Sequence, residues 1–242
     1  MDRAVYDAME AQDQRHWWYR ARRKVLSALI ARCTSLPLAA EILEVGCGTG
    51  HNLEMLSHFG SVNALEIDPA ARAVAEKRLG KPVLSSPLPQ LAGVPRGHFD
   101  LVGSFDVIEH IDDDTAAVAA IAECLKPGGK FVATVPAHPW MWSAHDVVNH
   151  HVRRYSAVQF RELFDRSPLR LERMGYFNSL LFPVAVAERM VSKVRGKDDS
   201  DLSTPAAPVN AALEKTFAAE RHLVGRVPLP PGLSLFAVAS AR

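Results

Sequence analysis

The sequence predicts an α/β fold, a doubly wound sheet with helices on both faces. Short apolar runs (EILEV, SVNALEI, FDLVGSF, KFVATVP) alternate with helix-like segments between residues 41 and 136. The first run ends in a glycine-rich turn, Gly46-Cys47-Gly48-Thr49-Gly50. Strand, turn and helix in alternation imply parallel pairing through right-handed crossovers. At 242 residues, 48% hydrophobic and 23% charged, the chain is long enough to bury one such domain with additions.

Residues 1 to 36 read as an N-terminal helical segment, a lid, with Trp18, Val25, Leu26, Leu29 and Ile30 near one face and a break at Pro37. Residues 37 to 242 form the main domain. EILEV predicts the first strand, Gly50 to His58 a helix, SVNALEI a strand and Pro69 to Leu79 an alanine-rich helix. PVLSS is a weak strand and FDLVGSF a stronger one. Asp112 to Leu125 predicts a helix whose acidic start suits the helix dipole. Lys126 to Gly129 reads as a turn before KFVATVP. Residues 137 to 160 lack periodicity and are rich in His, Trp and Arg, a cap over an acceptor pocket. A helix at Ala157 to Asp165 and a strand LRLERMGYF come next. Residues 180 to 228 form a helical insertion, with an amphipathic helix at 180 to 195, a mobile Pro-bearing linker at 197 to 210 and a helix at about 211 to 224. GLSLFAVASA is the last strand.

The totals also exclude. A net charge of +1 argues against a nucleic-acid partner. The 3 cysteines are scattered, without a CxxC pair, so no disulfide framework or cysteine zinc site is expected, and reduced thiols fit a cytoplasmic protein. The polar N-terminus is unlike a signal peptide, and no apolar run is long enough to span a bilayer. The apolar face of Leu180 to Val194 leaves open a packed helix, a dimer contact or peripheral membrane association, and the chain a monomer or a homodimer.

Glycines after a strand let a ligand approach main-chain amides at a helix N-terminus. The spacing Gly46-x-Gly48-x-Gly50 is one residue shorter than the dinucleotide fingerprint. Glu66 follows about 20 residues later, where a carboxylate reads a ribose diol. EILEVGCGTG, ALEIDP, FDLVGSFDVIEHIDD and LKPGGKFVATVP, over residues 41 to 136, resemble the successive motifs of class I S-adenosylmethionine-dependent methyltransferases. HWWYRARR and HHVRRYS resemble, more loosely, segments of methyltransferases of bacterial secondary or envelope metabolism.

The resemblance implies a Rossmann-like seven-stranded sheet with an antiparallel last strand and S-adenosyl-L-methionine as cofactor. It implies that Gly46, Cys47, Gly48 and Gly50 line the methionine and ribose, that Glu44 orients the amino group and that Glu66 holds the diol. Ile67 would pack on adenine, Ser86 and Leu88 would meet its edge, and Ser104 and Phe105 would flank the methionine. SSPLP departs from the usual acidic-Leu-Pro pattern, which puts Ser86 and Leu88 in doubt. Arg20 or Arg23 is a candidate for the cofactor carboxylate.

Asp106, Glu109 and His110 would share one face if Phe105 to Ile111 were a helical turn. Three readings stay open: His110 as a general base, the trio as a divalent-metal site like that of certain quinone-biosynthetic and RNA-end methyltransferases, or a loop-shaping role alone. Trp142, His145, Arg154 and Tyr155 from the cap, with Trp18, Tyr19 and Arg20 from the lid, are the candidate acceptor-binding residues. The expected function is methyl transfer to oxygen or nitrogen of a small-molecule acceptor, with a lipid, quinone or glycan precursor as the alternative acceptor. Outside methyl transfer stand a nicotinamide-dependent oxidoreductase and a non-catalytic cofactor-binding protein.

Overall fold

The computed structural model describes residues 3–195 and 204–242. Six strands form one sheet: β1 (Ala40–Val45), β2 (Gly60–Leu65), β3 (Phe99–Phe105), β4 (Leu125–Pro136), β5 (Leu169–Phe177) and β6 (Ser234–Ala241). Their order is β2-β1-β3-β4-β6-β5. The first four are parallel, and β6 runs antiparallel to both β4 and β5. Alternate side chains feed two cores, as the two-residue period of a strand requires. Ile42, Val132 and Val238 enter one core, and Leu43, Ala133 and Ala237 the other.

The first core is covered by α2 (Trp17–Cys33), α3 (Leu53–Ser57), α4 (Pro69–Leu79) and α9 (Ala207–Ala219). The second lies under α5 (Asp114–Cys124) and α7 (Ala157–Asp165). The remaining helices are α1 (Arg3–Gln12), α6 (Ala144–Val148) and α8 (Phe182–Arg195). α2 is bound into its layer through buried Ala21, Val25, Leu26, Leu29 and Ile30. None of the described helices is long and apolar enough to cross a membrane.

The expectation of seven strands fails among the described residues. PVLSS contributes only an isolated parallel bridge, Leu65 to Leu84. Pro82, Pro87 and Pro89 crowd this segment, and a proline has no N–H for a ladder. The helix expected from Gly50 shrinks to Leu53–Ser57, because Gly50 adopts φ +84°. The turn expected at Lys126 to Gly129 is instead the irregular start of β4, where its register against β3 shifts. The expected mobile linker falls partly on 196–203, outside the described residues, and α9 begins within its remainder.

The chain leaves β1 for β2 on one side and reaches β3 on the other. A crevice therefore opens beyond the carboxyl ends of β1 and β3, the place where open α/β sheets take ligands.

Candidate functional site

The three glycines of the turn after β1 all have positive φ, but they do different work. A Cβ on Gly46 would fall 2.6 Å from Val107 Cγ2, and one on Gly50 would fall 2.7 Å from Leu53 Cδ1. Both are therefore packing positions. A Cβ on Gly48 would meet only Met9 Cε, at 3.8 Å, so the backbone there is open to a ligand.

Glu66 is 4% exposed and sits beside this opening. Its Oε2 accepts from Gly48 N–H at 2.8 Å and its Oε1 from Asp68 N–H at 2.8 Å. Tyr6 of α1 approaches Oε1 at 3.5 Å. Exposed Ile67 follows, offering an apolar face next to that carboxylate. Buried Ser86 and half-buried Leu88 lie beyond the Leu84 bridge. Glu44, at the end of β1, is fully buried, and its Oε1 accepts from Asn52 Nδ2 at 2.8 Å. Burial pushes its carboxyl up to about 8, against the opposing pull of Asn52 and Arg22. Cys47 is buried and its thiol is pushed up, first by desolvation and then by Glu44 and Glu66, so it is no nucleophile.

Several buried polar atoms in these same segments have no partner: Glu44 Oε2, Asn52 Oδ1, Thr49 Oγ1, Ser86 Oγ and Ser104 Oγ. Buried polar groups are ordinarily paired, so this set fits a polar ligand. Phe105 is buried, and its ring occupies the space a Cβ on Gly103 would need.

After β3 the backbone turns sharply at Asp106, φ +58°, before a 3-10 turn at Ile108–His110. Asp106, Glu109 and His110 therefore do not share a helical face. Asp106 instead accepts from Arg22 Nη2 at 2.6 Å and from Thr134 Oγ1 at 3.0 Å. Glu109 is fully buried, and neither carboxylate oxygen has a hydrogen-bond partner, with His151 Nε2 4.0 Å from Oε1. Desolvation, with Asp106 adding to it, raises its carboxyl well above the usual range. Its neighbours are His110 and His151, and one ligand atom from each of the three lies within 4.8 Å of the others. His110 is held neutral, pushed down to about 4 by burial and then by His151. Its Nδ1 faces the His150 carbonyl at 3.3 Å.

His151 comes from the cap, and Asp146 orients it through Oδ1 to His151 Nδ1 at 2.8 Å. Asp146 also accepts from Arg154 Nε at 2.7 Å and from Ser143 N–H and Oγ, the last two closing the capping box of α6. The hydroxyl of Tyr155, buried in the second core, donates to Asp114 Oδ2 at 2.7 Å. His145 stacks edge-on to His151, and Trp142 is part-exposed. On the lid side, Trp18 stacks edge-on against Tyr19, and Arg20 pairs with Glu214 of α9.

Arg22 and Asp146 are therefore central here and were not singled out by the sequence. Both left a trace in it. Arg22 stands four residues after Trp18 and four before Leu26, a cation on the buried stripe of α2. Ser143-x-x-Asp146 has the spacing of a capping box.

Residues 17–173 match the family model described as a methyltransferase domain. A probable S-adenosylmethionine-dependent methyltransferase of Mycolicibacterium smegmatis is 28% identical over 171 residues, 68% of this chain and 64% of that protein. A ubiquinone biosynthesis O-methyltransferase of Xanthomonas axonopodis is 34% identical over 110 residues, 43% of this chain and 46% of that protein. The matches thus span less than two thirds of these relatives' own length. A Haloferax volcanii putative methyltransferase, solved with the Trm112 activator, superposes with a TM-score of 0.61 at 19% identity, covering 98% of this chain and 94% of that one. That likeness shows the fold.

Proposed function

The chain belongs to the methyltransferase domain family, and we propose that it transfers the methyl group of S-adenosylmethionine to an oxygen or nitrogen of a small-molecule acceptor. The carrying observation is the open space over Gly48 beside Glu66, in segments that hold several unpartnered buried polar atoms. Glu66 would hold the ribose diol, Ile67, Ser86 and Leu88 the adenine, and Glu44, Cys47, Gly48, Ser104 and Phe105 the rest, while Gly46 and Gly50 let the turn pack against Val107 and Leu53. The bound sulfonium supplies an electrophilic methyl group. The protein's own part is alignment of the acceptor and exclusion of water, effects worth on the order of 7–11 kcal/mol at best. Calorimetry with S-adenosylhomocysteine and with a nicotinamide dinucleotide tests the reading. Binding of the homocysteine compound alone is expected, and binding of the dinucleotide alone would overturn it. Turnover on an acceptor panel then separates an enzyme from a non-catalytic binder.

A second observation bears on the acceptor. Glu109, His110 and His151 offer a carboxylate and two imidazoles, a donor set suited to manganese, iron or zinc. Asp146 behind His151 is the usual second partner of a ligating histidine. A metal here would grip an acceptor oxygen and favour its deprotonation. The ubiquinone O-methyltransferase relatives support a quinone precursor among the acceptors. Manganese titrated into the protein and into Glu109→Gln, followed by calorimetry, should bind only the former. Activity unchanged by exhaustive chelation would remove the metal and leave His110 as the base.

A further inference from the structure

Glu66 and the opening over Gly48 carry the reading of the cofactor site, and α1 lies against both. The Asp13 N–H still bonds to the Met9 carbonyl at 2.9 Å, so Tyr6, Met9 and Asp13, three and four residues apart, share one face of the helix and its end. That face is turned inward. Tyr6 and Met9 are half-buried and Asp13 is buried, while Glu10 and Ala11 are exposed. Tyr6 donates to Glu66 Oε1 at 3.5 Å. Burial, and then Glu66, push the Tyr6 phenol up, so the hydroxyl keeps its proton for this contact. Among the described residues, Met9 Cε alone comes within 4 Å of the place a Cβ on Gly48 would take, at 3.8 Å.

The other end of α1 is fastened. The Asp13 carboxylate pairs with Arg78 of α4, and the Asp13 carbonyl accepts from Arg23 Nη2 at 2.8 Å. Arg23, which the sequence offers for the cofactor carboxylate, is thus committed to this joint. Asn210 of α9 bridges the residues that follow. Its Nδ2 donates to the Arg15 carbonyl at 3.0 Å, and its Oδ1 accepts from Trp17 N–H at 2.9 Å. α1 is therefore a short arm, held at residues 13–17 and resting on the cofactor site by two side chains.

Two claims on Glu66 collide there. A carboxylate accepts about four hydrogen bonds. Gly48 N–H and Asp68 N–H hold two of those places at 2.8 Å each, and Tyr6 takes a third. A ribose diol brings two donors, so it lacks one acceptor for as long as Tyr6 stays. Met9 borders the space through which Gly48 would be approached.

We propose that α1 is a gate in competition with the cofactor: Tyr6 and Met9 hold contacts that the ribose needs, and the arm swings about the joint at residues 13–17 to admit it. The proposal rests on S-adenosylmethionine being the donor. The competing role is a clasp, an arm that closes over bound cofactor and tightens its hold. Gate and clasp differ in the sign of every effect below.

Hydrogen exchange read by mass spectrometry, on the native protein with and without S-adenosylhomocysteine, separates them. The ligand should protect the turn at residues 46–50 and speed exchange in α1. Calorimetry supplies the second arm. Tyr6→Phe removes only the competing hydroxyl, so S-adenosylhomocysteine should bind about 2- to 10-fold tighter. Met9→Ala leaves Glu66 untouched and should shift affinity in the same direction. Slower or unchanged exchange in α1 on binding overturns the gate while sparing the donor. So does equal or weaker binding by either variant. A native protein that neither binds S-adenosylhomocysteine nor protects the turn overturns the donor reading itself.

Discussion

Around the glycine turn stand a backbone position left open at Gly48, one carboxylate that the turn's own amide holds, and side-chain oxygens that lack hydrogen-bond partners. At the cap, from His138 to Tyr155, the polar side chains have found each other. Asp146 holds His151, Arg154 and Ser143, and Asp114 holds Arg153 and Tyr155. The first region leaves polar groups unpaired, as the proposed cofactor site requires. The second is a braced wall, and Glu109 is the unbraced group that it encloses. Mutations should therefore separate the two, costing binding at the turn and stability at the cap.

The largest effect is expected at the brace. Asp146 is fully buried, so Asp146→Ala leaves the Arg154 cation without its partner. Breaking a buried pair costs about 3–5 kcal/mol. Urea unfolding should show that loss, with S-adenosylhomocysteine affinity unchanged within about twofold. A large affinity loss with little change in stability would dissolve the distinction between the regions.

The glycines sharpen the same comparison within the turn. Gly48→Ala and Gly50→Ala both meet a positive-φ penalty of roughly 1–2 kcal/mol. At Gly50 the new methyl also meets Leu53 and Ala75, adding about 1–3 kcal/mol of overpacking. Gly50→Ala should thus melt lower than Gly48→Ala, while Gly48→Ala loses more cofactor affinity. Reversed order in the two assays would show that Gly48 is not the open position. Glu66→Ala comes next. Losing charged hydrogen bonds to the ribose costs about 1.5–3 kcal/mol of binding, roughly 10- to 100-fold in S-adenosylhomocysteine affinity. Wild-type affinity in that variant would mean the ribose is held elsewhere.

The two regions also differ in how much of them the sequence discloses. A main-chain site has to be written locally, as glycines at fixed spacing and an acid at the next strand end, so the sheet and the turn were legible. The seventh strand came from the family resemblance rather than from PVLSS itself, a weak strand pattern that Pro82 opens and Pro87 and Pro89 follow. The acceptor side depends on long-range pairing. Nothing near Asp106 announces Arg22, 84 residues earlier, and nothing near Glu109 announces His151. The helical face expected for Asp106, Glu109 and His110 failed at one backbone angle, the positive φ of Asp106.

The smallest expected effect probes Glu44, the buried acid at the end of β1 that leads into the glycine turn. Its carboxyl titrates near 8 in the folded chain and at the ordinary carboxylate value when unfolded. Between those values the folded state holds a proton that the unfolded state has released. Stability contributed by this group is therefore complete at acid pH and declines as pH rises through about 8, at no more than about 1.4 kcal/mol per pH unit. Glu44→Gln keeps an oxygen for Asn52 and cannot ionise, so its unfolding free energy should lack this component of the slope. Urea titrations at pH 5.5, 6.5 and 7.5, with the variant compared to the native chain, read it directly. Parallel slopes would place a charged Glu44 in the ligand-free fold, stabilised by Arg22 against its burial.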